Sequence, residues 1–388
     1  MPTLKICFVA SELAPFAKVG GLADVSAALG RYLFEKGHDL RLFIPLYASI
    51  DVQRFGLMPV DFIQNIPLPL GPRPYSFSLY TALLPRTGLW VYFVHCPALY
   101  DRPDLYTVDS DEHLRFALLS RAVFECCQRM GWEPHVLHCN DWQTALMPLF
   151  KRTFYAWDRV FDHTRTVLTI HNLGYQGIFG ADAAGDLGLG FHSHLLDQDD
   201  LRSGVVNFLK TGLLYADALT TVSPTYAREI QRDGLGMGLQ HLLRARADRL
   251  FGILNGVDYG EWSPEVDPLI PSNYSRRAWA AKEKNKKALL ESAGLPYNQR
   301  VPVMGLISRL VAQKGIDLLF DPLPEALQER DLQLVVLGSG EWRFESFFKA
   351  LRERFPKQVA FLPGFNEPLS HLVEAGSDLY LMPSLYEP

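Results

Sequence analysis

Lys18-Val19-Gly20-Gly21-Leu22-Ala23-Asp24 sets a cation beside two adjacent glycines. Two residues without side chains let a ligand touch the main chain, and the lysine adds a mobile positive charge. Between a strand and a helix, such a turn presents backbone N–H groups and a positive helix end to an anion. Taken alone, a tight turn with a solvated lysine also accounts for it. The other residues suited to chemistry are scattered: Asp141, His171, Asn255, Arg309, Lys314, Gly338 and Glu387. Arg309 and Lys314 suit departure of a phosphorylated leaving group. A rigid guanidinium fork and a point charge neutralise what grows on a diphosphate as its bond to a sugar breaks. Glu387 is an acceptor for sugar hydroxyls. No Asp-rich metal pattern accompanies them, so no metal and no other cofactor is expected.

Each residue also has a plain explanation. Asp141 can N-cap a helix, and His171 can be a satisfied buried histidine. Asn255-Gly256 is a common turn pair, and Gly338-Ser339-Gly340 alone is a weak signal. Arg309 and Lys314 can be solvated surface charges. The elements that position them shift the balance. Ile6-Cys7-Phe8-Val9-Ala10 reads as a buried strand ahead of Lys18, and a helical pattern runs through Leu29, Leu33 and Lys36. Further strands are expected at 40–44, 89–94, 135–139, 166–170, 218–222 and 249–254. Helices are expected at 112–130, 141–154 and 207–215, and Ser223-Pro224 opens another as N-cap and N1 proline. Residues 67–86, rich in proline, read as an irregular hairpin insertion.

Alternation loosens at 257–300, which reads as the domain crossing. It resumes with strands at 301–307, 332–337, 359–362 and 379–382 and helices at 315–329, 341–355 and 368–375. Strands alternating with helices imply parallel sheets, where ligands sit beyond the C-terminal strand ends. The candidates all fall at such ends. The reading is an α/β chain of two Rossmann-like domains, 1–256 and 301–388, facing each other across a cleft. The second is short for the type and stops just after a strand, so it is expected to be incomplete.

The 388 residues carry a net charge of −5, with 48% hydrophobic and 21% charged residues. This balance gives no reason to expect nucleic acid as a partner. No run is apolar enough for long enough to span a bilayer, and no signal segment precedes the first strand. Cys7, Cys96, Cys126, Cys127 and Cys139 lack metal-ligand spacing and read as buried free thiols, which points to the cytoplasm.

Together these residues resemble the family of bacterial glycogen synthases and plant starch synthases, retaining glycosyltransferases of GT-B fold. The resemblance rests on residues 18–25, on His171-Asn172-Leu173-Gly174-Tyr175-Gln176-Gly177, and on Ala216-Asp217 with Thr221-Val222-Ser223-Pro224-Thr225-Tyr226-Ala227. It rests also on Asn255-Gly256-Val257-Asp258 with Trp262-Ser263-Pro264, and on Ser308-Arg309-Leu310 with Gln313-Lys314-Gly315. Phe116-Ala117-Leu118-Leu119 and Asn140-Asp141-Trp142 fit too.

The resemblance implies transfer of glucose from ADP-glucose to an α-1,4-glucan acceptor with retention. Lys18 would contact the donor, with the Gly20 and Gly21 amides near its phosphates. Arg309 and Lys314 would stabilise the leaving diphosphate. His171 would lie near the transferred glucose, Asp141 on the acceptor side, and Asn255 would be a polar contact in the cleft. Glu387 would hold glucose hydroxyls, as the first residue of the family's Glu-Pro-Cys-Gly-Leu motif. The donor base, the choice of glycogen or starch as product, and a plastid location after removal of a transit peptide stay open. Because the family continues beyond the position of Pro388, these 388 residues alone are expected to be poorly soluble and nearly inactive. Rival expectations are another GT-B nucleotide-sugar enzyme and a non-catalytic glucan-binding descendant.

Overall fold

The protein is described here from a computed structural model, covering residues 2–260, 262–364 and 366–388. Its contacts divide it into two compact units, one running to Gly256 and one spanning Val257–Glu387. The first carries β1 (Lys5–Val9), β2 (Asp39–Pro45), the short strands β3 (Met58–Pro59) and β4 (Ile66–Pro67), β5 (Ser76–Leu83) and β6 (Trp90–His95). It continues with β7 (Val136–Asn140), β8 (Arg165–Ile170), β9 (Ile178–Gly180), β10 (Val205–Asn207), β11 (Ala218–Thr221) and β12 (Leu250–Gly252). A parallel run in the order β12-β11-β8-β7-β1-β2-β6 is the heart of its main sheet. Ile6, Cys7, Phe8 and Val9 of β1 are all buried, as a central strand covered on both faces requires.

Chain order and strand order explain where polar residues gather. The chain starts on β1, moves to β2 and β6 on one side, and returns to β7, β8, β11 and β12 on the other. The reversal falls between β1 and β7, and a crevice opens at the strand ends of such a switch point. The loop after β1 carries Lys18; β7 ends on Asn140, followed by Asp141.

Residues 67–86 differ from expectation. Ser76–Leu83 is a regular strand that adds antiparallel to β6 over six residue pairs, Ser78 opposite His95 through Leu83 opposite Trp90. Phe77, Leu79 and Ala82 supply buried contacts, while the prolines are confined to its flanks. The helix expected over 141–154 is two, Asp141–Thr144 and Met147–Arg152; Pro148, at the start of the second, cannot donate within a continuous helix. Ser223 does cap Pro224–Glu229, its Oγ accepting from Tyr226 N–H at 2.9 Å. All five cysteines are buried free thiols.

The second unit has β13 (Val303–Ile307), β14 (Gln333–Leu337), β15 (Val359–Leu362) and β16 (Leu379–Tyr380). They form a parallel sheet in the order β15-β14-β13-β16, with its own reversal between β13 and β16. The single helix expected over 315–329 is a 3-10 turn, Ile316–Leu319, then Pro322–Glu329. Pro322, which has no N–H to give a continuing helix, starts the second piece afresh.

The stretch 257–300 is not a free crossing. Leu289 and Leu290 of the helix Lys282–Ala293 are buried with Val303, Val335 and Val373. Asp267 Oδ2 lies 2.7 Å from His371 Nδ1, and the Trp262 ring stacks on that imidazole at 4.0 Å. Apolar positions hidden in a charged, proline-punctuated sequence bind it to the second unit.

Candidate active site

At the switch point of the first unit, the loop after β1 leads into the helix Gly21–Glu35. Gly20 is its N-cap, at φ −148° and ψ −168°, an extended conformation open to any residue. A Cβ on Gly20 or Gly21 would meet nothing within 4 Å. Neither local geometry nor packing demands glycine there, and what remains is room for a ligand to approach the main chain. Lys18 Nζ is held 2.8 Å from Asp24 Oδ1 in the first helical turn. The Gly20 N–H, expected near the donor phosphates, already has a partner within the chain. With Val19 N–H it donates to the carboxylate of Glu12, at 2.9 and 2.7 Å.

Across the switch point, Asp141 does not N-cap its helix; that position is Asn140, which makes no side-chain capping bond. Asp141 has φ +57°, unusual without glycine, and its Oδ1 accepts the His171 N–H at 2.7 Å. Desolvation pushes its carboxyl up to about 7, against the N–H groups of His171 and Asn172. Asn140 Nδ2 donates to the Val9 carbonyl at 3.0 Å, so its Oδ1 is left to accept. It lies 3.0 Å from His171 Nε2, which assigns the proton to Nε2 and leaves Nδ1 a lone pair. Burial pushes His171 down to about 4, so the ring is neutral at pH 7. Asp141, His171 and the loop after β1 are thus brought together at the ends of β7, β8 and β1. Asn255, past β12, is exposed and tied to the chain by its N–H to the Val222 carbonyl.

Beside this cluster lies a pocket of about 910 Å³. Trp142, Tyr175 and Phe179 give it apolar faces, and Gln176, Asp182 and Asp186 give polar ones. Asp186 is held by His113 Nε2 at 3.1 Å and Arg73 Nε at 3.5 Å. Aromatic faces with a few fixed polar groups suit a sugar, which has apolar C–H faces and a rim of hydroxyls. The 171–177 stretch is seated by Gly177, at φ +62°. A Cβ there would fall 2.4 Å from Trp142 Cε3. Gly177→Ala is therefore expected to cost roughly 2–3 kcal/mol in urea unfolding, from overpacking and a strained backbone.

The second unit stitches three loops together at its own switch point. Gly315 passes so near the Pro383 carbonyl that a Cβ would sit 2.0 Å from the oxygen. Leu385 N–H donates to the Gln313 carbonyl at 2.9 Å. This brings Lys314 Nζ within 2.5 Å of Glu387 Oε1, which also accepts from Ser384 Oγ at 2.6 Å. Arg309, just beyond β13, is exposed at the same end. Gly338 differs from expectation. Its N–H donates to the Leu362 carbonyl at 3.2 Å, and a Cβ would lie 2.0 Å from the Ser308 carbonyl. Close loop packing by itself accounts for a glycine there. Sequence reasoning passed over Glu12, Tyr106 and the pocket wall. Glu12 follows β1 closely, so the strand-end rule that found Lys18 also covers it.

Two α/β units with cations and carboxyls gathered at their switch points fit a glycosyltransferase of GT-B fold, and known proteins bear this out. Residues 5–245 match the family model of the starch synthase catalytic domain, and 290–388 match that of glycosyl transferases group 1. The chain is 42% identical to glycogen synthase 1 of Geobacter sulfurreducens, covering all of this chain and 78% of that protein. It is 43% identical to glycogen synthase of Koribacter versatilis, covering 99% and 78%. The catalytic domain of starch synthase IV from Arabidopsis thaliana, bound to ADP and acarbose, superposes with a TM-score of 0.91. It is 34% identical over all of this chain and 79% of that one. The chain belongs to the glycogen and starch synthase family, and its activity is that of a glycogen/starch synthase.

Proposed function

We propose that the protein moves glucose from ADP-glucose to the non-reducing end of an α-1,4-glucan with retention of configuration, in the cytoplasm. The observation that carries this reading is the second unit's strand-end cluster: Arg309 at the end of β13 and Lys314 paired with Glu387. A cation pair beside a carboxylate suits a diphosphate next to a sugar. The relative of known structure bound to ADP and acarbose supports an adenine nucleotide and a glucan-like ligand.

In this reading, Arg309 and Lys314 take up charge on the departing diphosphate, and Glu387 accepts hydrogen bonds from glucose hydroxyls. The first unit serves the acceptor, with its aromatic pocket and Asp141, and contacts the donor through Lys18. The acceptor hydroxyl attacks the anomeric carbon on the face the diphosphate leaves, and the leaving phosphate oxygen takes its proton. The charge on the departing diphosphate is assigned to these side chains. Among the described residues, no helix is long and apolar enough to cross a membrane.

The test is chain extension by the full-length protein with maltooligosaccharide and either ADP-glucose or UDP-glucose, with NMR reading the new linkage. ADP-glucose-dependent α-1,4 extension is expected. No extension with ADP-glucose, or a β-linkage, would sink the proposal.

A further inference from the structure

Glu12 lies three residues past β1 and is 4% exposed. Its carboxylate takes three hydrogen bonds. Val19 and Gly20 N–H donate to Oε2 at 2.7 and 2.9 Å, and the Tyr106 hydroxyl donates to Oε1 at 2.6 Å. The Tyr106 oxygen is also 2.8 Å from Ser11 Oγ. Burial raises the Glu12 carboxyl, while Tyr106 and the two N–H groups pull it down. Burying a carboxylate costs several kcal/mol unless donors meet it, and here they come from two separate segments.

One is the loop that carries Lys18. By committing the Val19 and Gly20 amides, Glu12 fixes a path that leaves the Cα atoms of Gly20 and Gly21 facing open space. The other holds Tyr106, and the residues after it, Thr107, Asp109, Ser110 and Glu112, line the pocket. Glu112 accepts from Thr107 Oγ1 at 2.7 Å and so orders that wall.

We propose that Glu12 is a positioning residue that shapes the 18–21 loop for the donor and ties it, through Tyr106, to the wall of the glucan pocket. The assignment of donor and glucan rests on the function proposed above; the shaping of the loop does not. Two variants in the full-length protein test it. Glu12→Ala removes the acceptor. Glu12→Gln keeps a carbonyl oxygen for the two N–H groups and an amide to donate to the Tyr106 oxygen.

Hydrogen exchange without substrate reads the loop alone. Glu12→Ala should speed exchange at Val19 and Gly20 at least about tenfold while β1 is unchanged, and Glu12→Gln should restore protection. Unchanged exchange in the Ala variant overturns the proposal whatever the sugar chemistry. In kinetics, Glu12→Ala should raise the donor KM about tenfold with kcat lowered less than about threefold, and Gln should recover most of the loss. A Gln variant as impaired as Ala, or a kcat loss with donor KM unchanged, overturns it too. Failure of the proposed function shows separately, as wild-type protein without ADP-glucose-dependent transfer; the exchange experiment then still decides the role of Glu12 in the loop.

Discussion

Lys314→Gln in the full-length protein is expected to lower kcat by about 10²–10³-fold, the scale of losing one preorganised charge aimed at a leaving group. Arg309→Ala should fall in the same range, and Arg309→Lys should recover little, because a point charge does not replace a planar fork. Lys314 is already oriented. Gly315 lets its turn close on the Pro383 carbonyl, and Glu387 holds the ammonium at 2.5 Å. A lysine fixed before substrate arrives needs no reorganisation as the diphosphate leaves, so its removal should appear in kcat more than in donor KM.

The fold should not suffer. The Lys314 and Glu387 side chains are 22% and 39% exposed, and an ion pair so open to water contributes little to stability. Initial rates at saturating ADP-glucose, with melting temperature as the control, read the outcome. A loss below about tenfold for both residues would mean that they are surface charges.

Why the positions of these two cations were legible in the sequence, while the packing of Gly338 was not, comes down to what each residue type needs. Strand runs such as 6–9, 303–307 and 334–337 are apolar throughout because both faces are covered, so their ends, and the charges beyond them, are marked. A glycine carries no such mark. Gly20 and Gly21 border open space, whereas Gly338 and Gly315 avoid a carbonyl; only coordinates separate the two uses. Asp141 had two readings in the sequence. Ahead of a helix, an aspartate is a natural N-cap, but the +57° φ of this residue turns its carboxylate to the His171 amide instead. Glu12 was hidden because its partners, residues 19, 20 and 106, include one nearly a hundred positions away. The packing of the 257–300 stretch, read as the domain crossing, was hidden for the same reason: its buried leucines and the Asp267–His371 bond have partners far along the chain.

The buried groups at the ends of β7 and β8 contribute to the response of stability to pH. Burial pushes His171 down to about 4, and burial with the neighbouring charge of His171 pushes His138 down to about 3. Both lie below the ordinary histidine value of about 6.5 in the unfolded chain. Their contribution is complete above about pH 6.5 and is lost as pH falls toward 4 and 3, because the unfolded chain takes up protons that the folded one refuses. Asp141 has the opposite sign. With its folded value near 7 and its unfolded value near 3.8, the folded state holds a proton that the unfolded chain gives up, so acidification from 7 to 4 stabilises. Two histidines lose and one carboxyl returns roughly 1.4 kcal/mol per pH unit each, leaving a net fall of about one such step per unit between 6.5 and 4. Asp141→Asn copies the protonated carboxyl and removes the opposing slope. The variant should be relatively most stable near pH 8 and should lose at most about 4 kcal/mol of that standing by pH 4. Urea unfolding of both proteins between pH 4.5 and 8 measures the difference. A gap that stays constant across this range would show that Asp141 is ionised throughout and that its two backbone hydrogen bonds outweigh its desolvation.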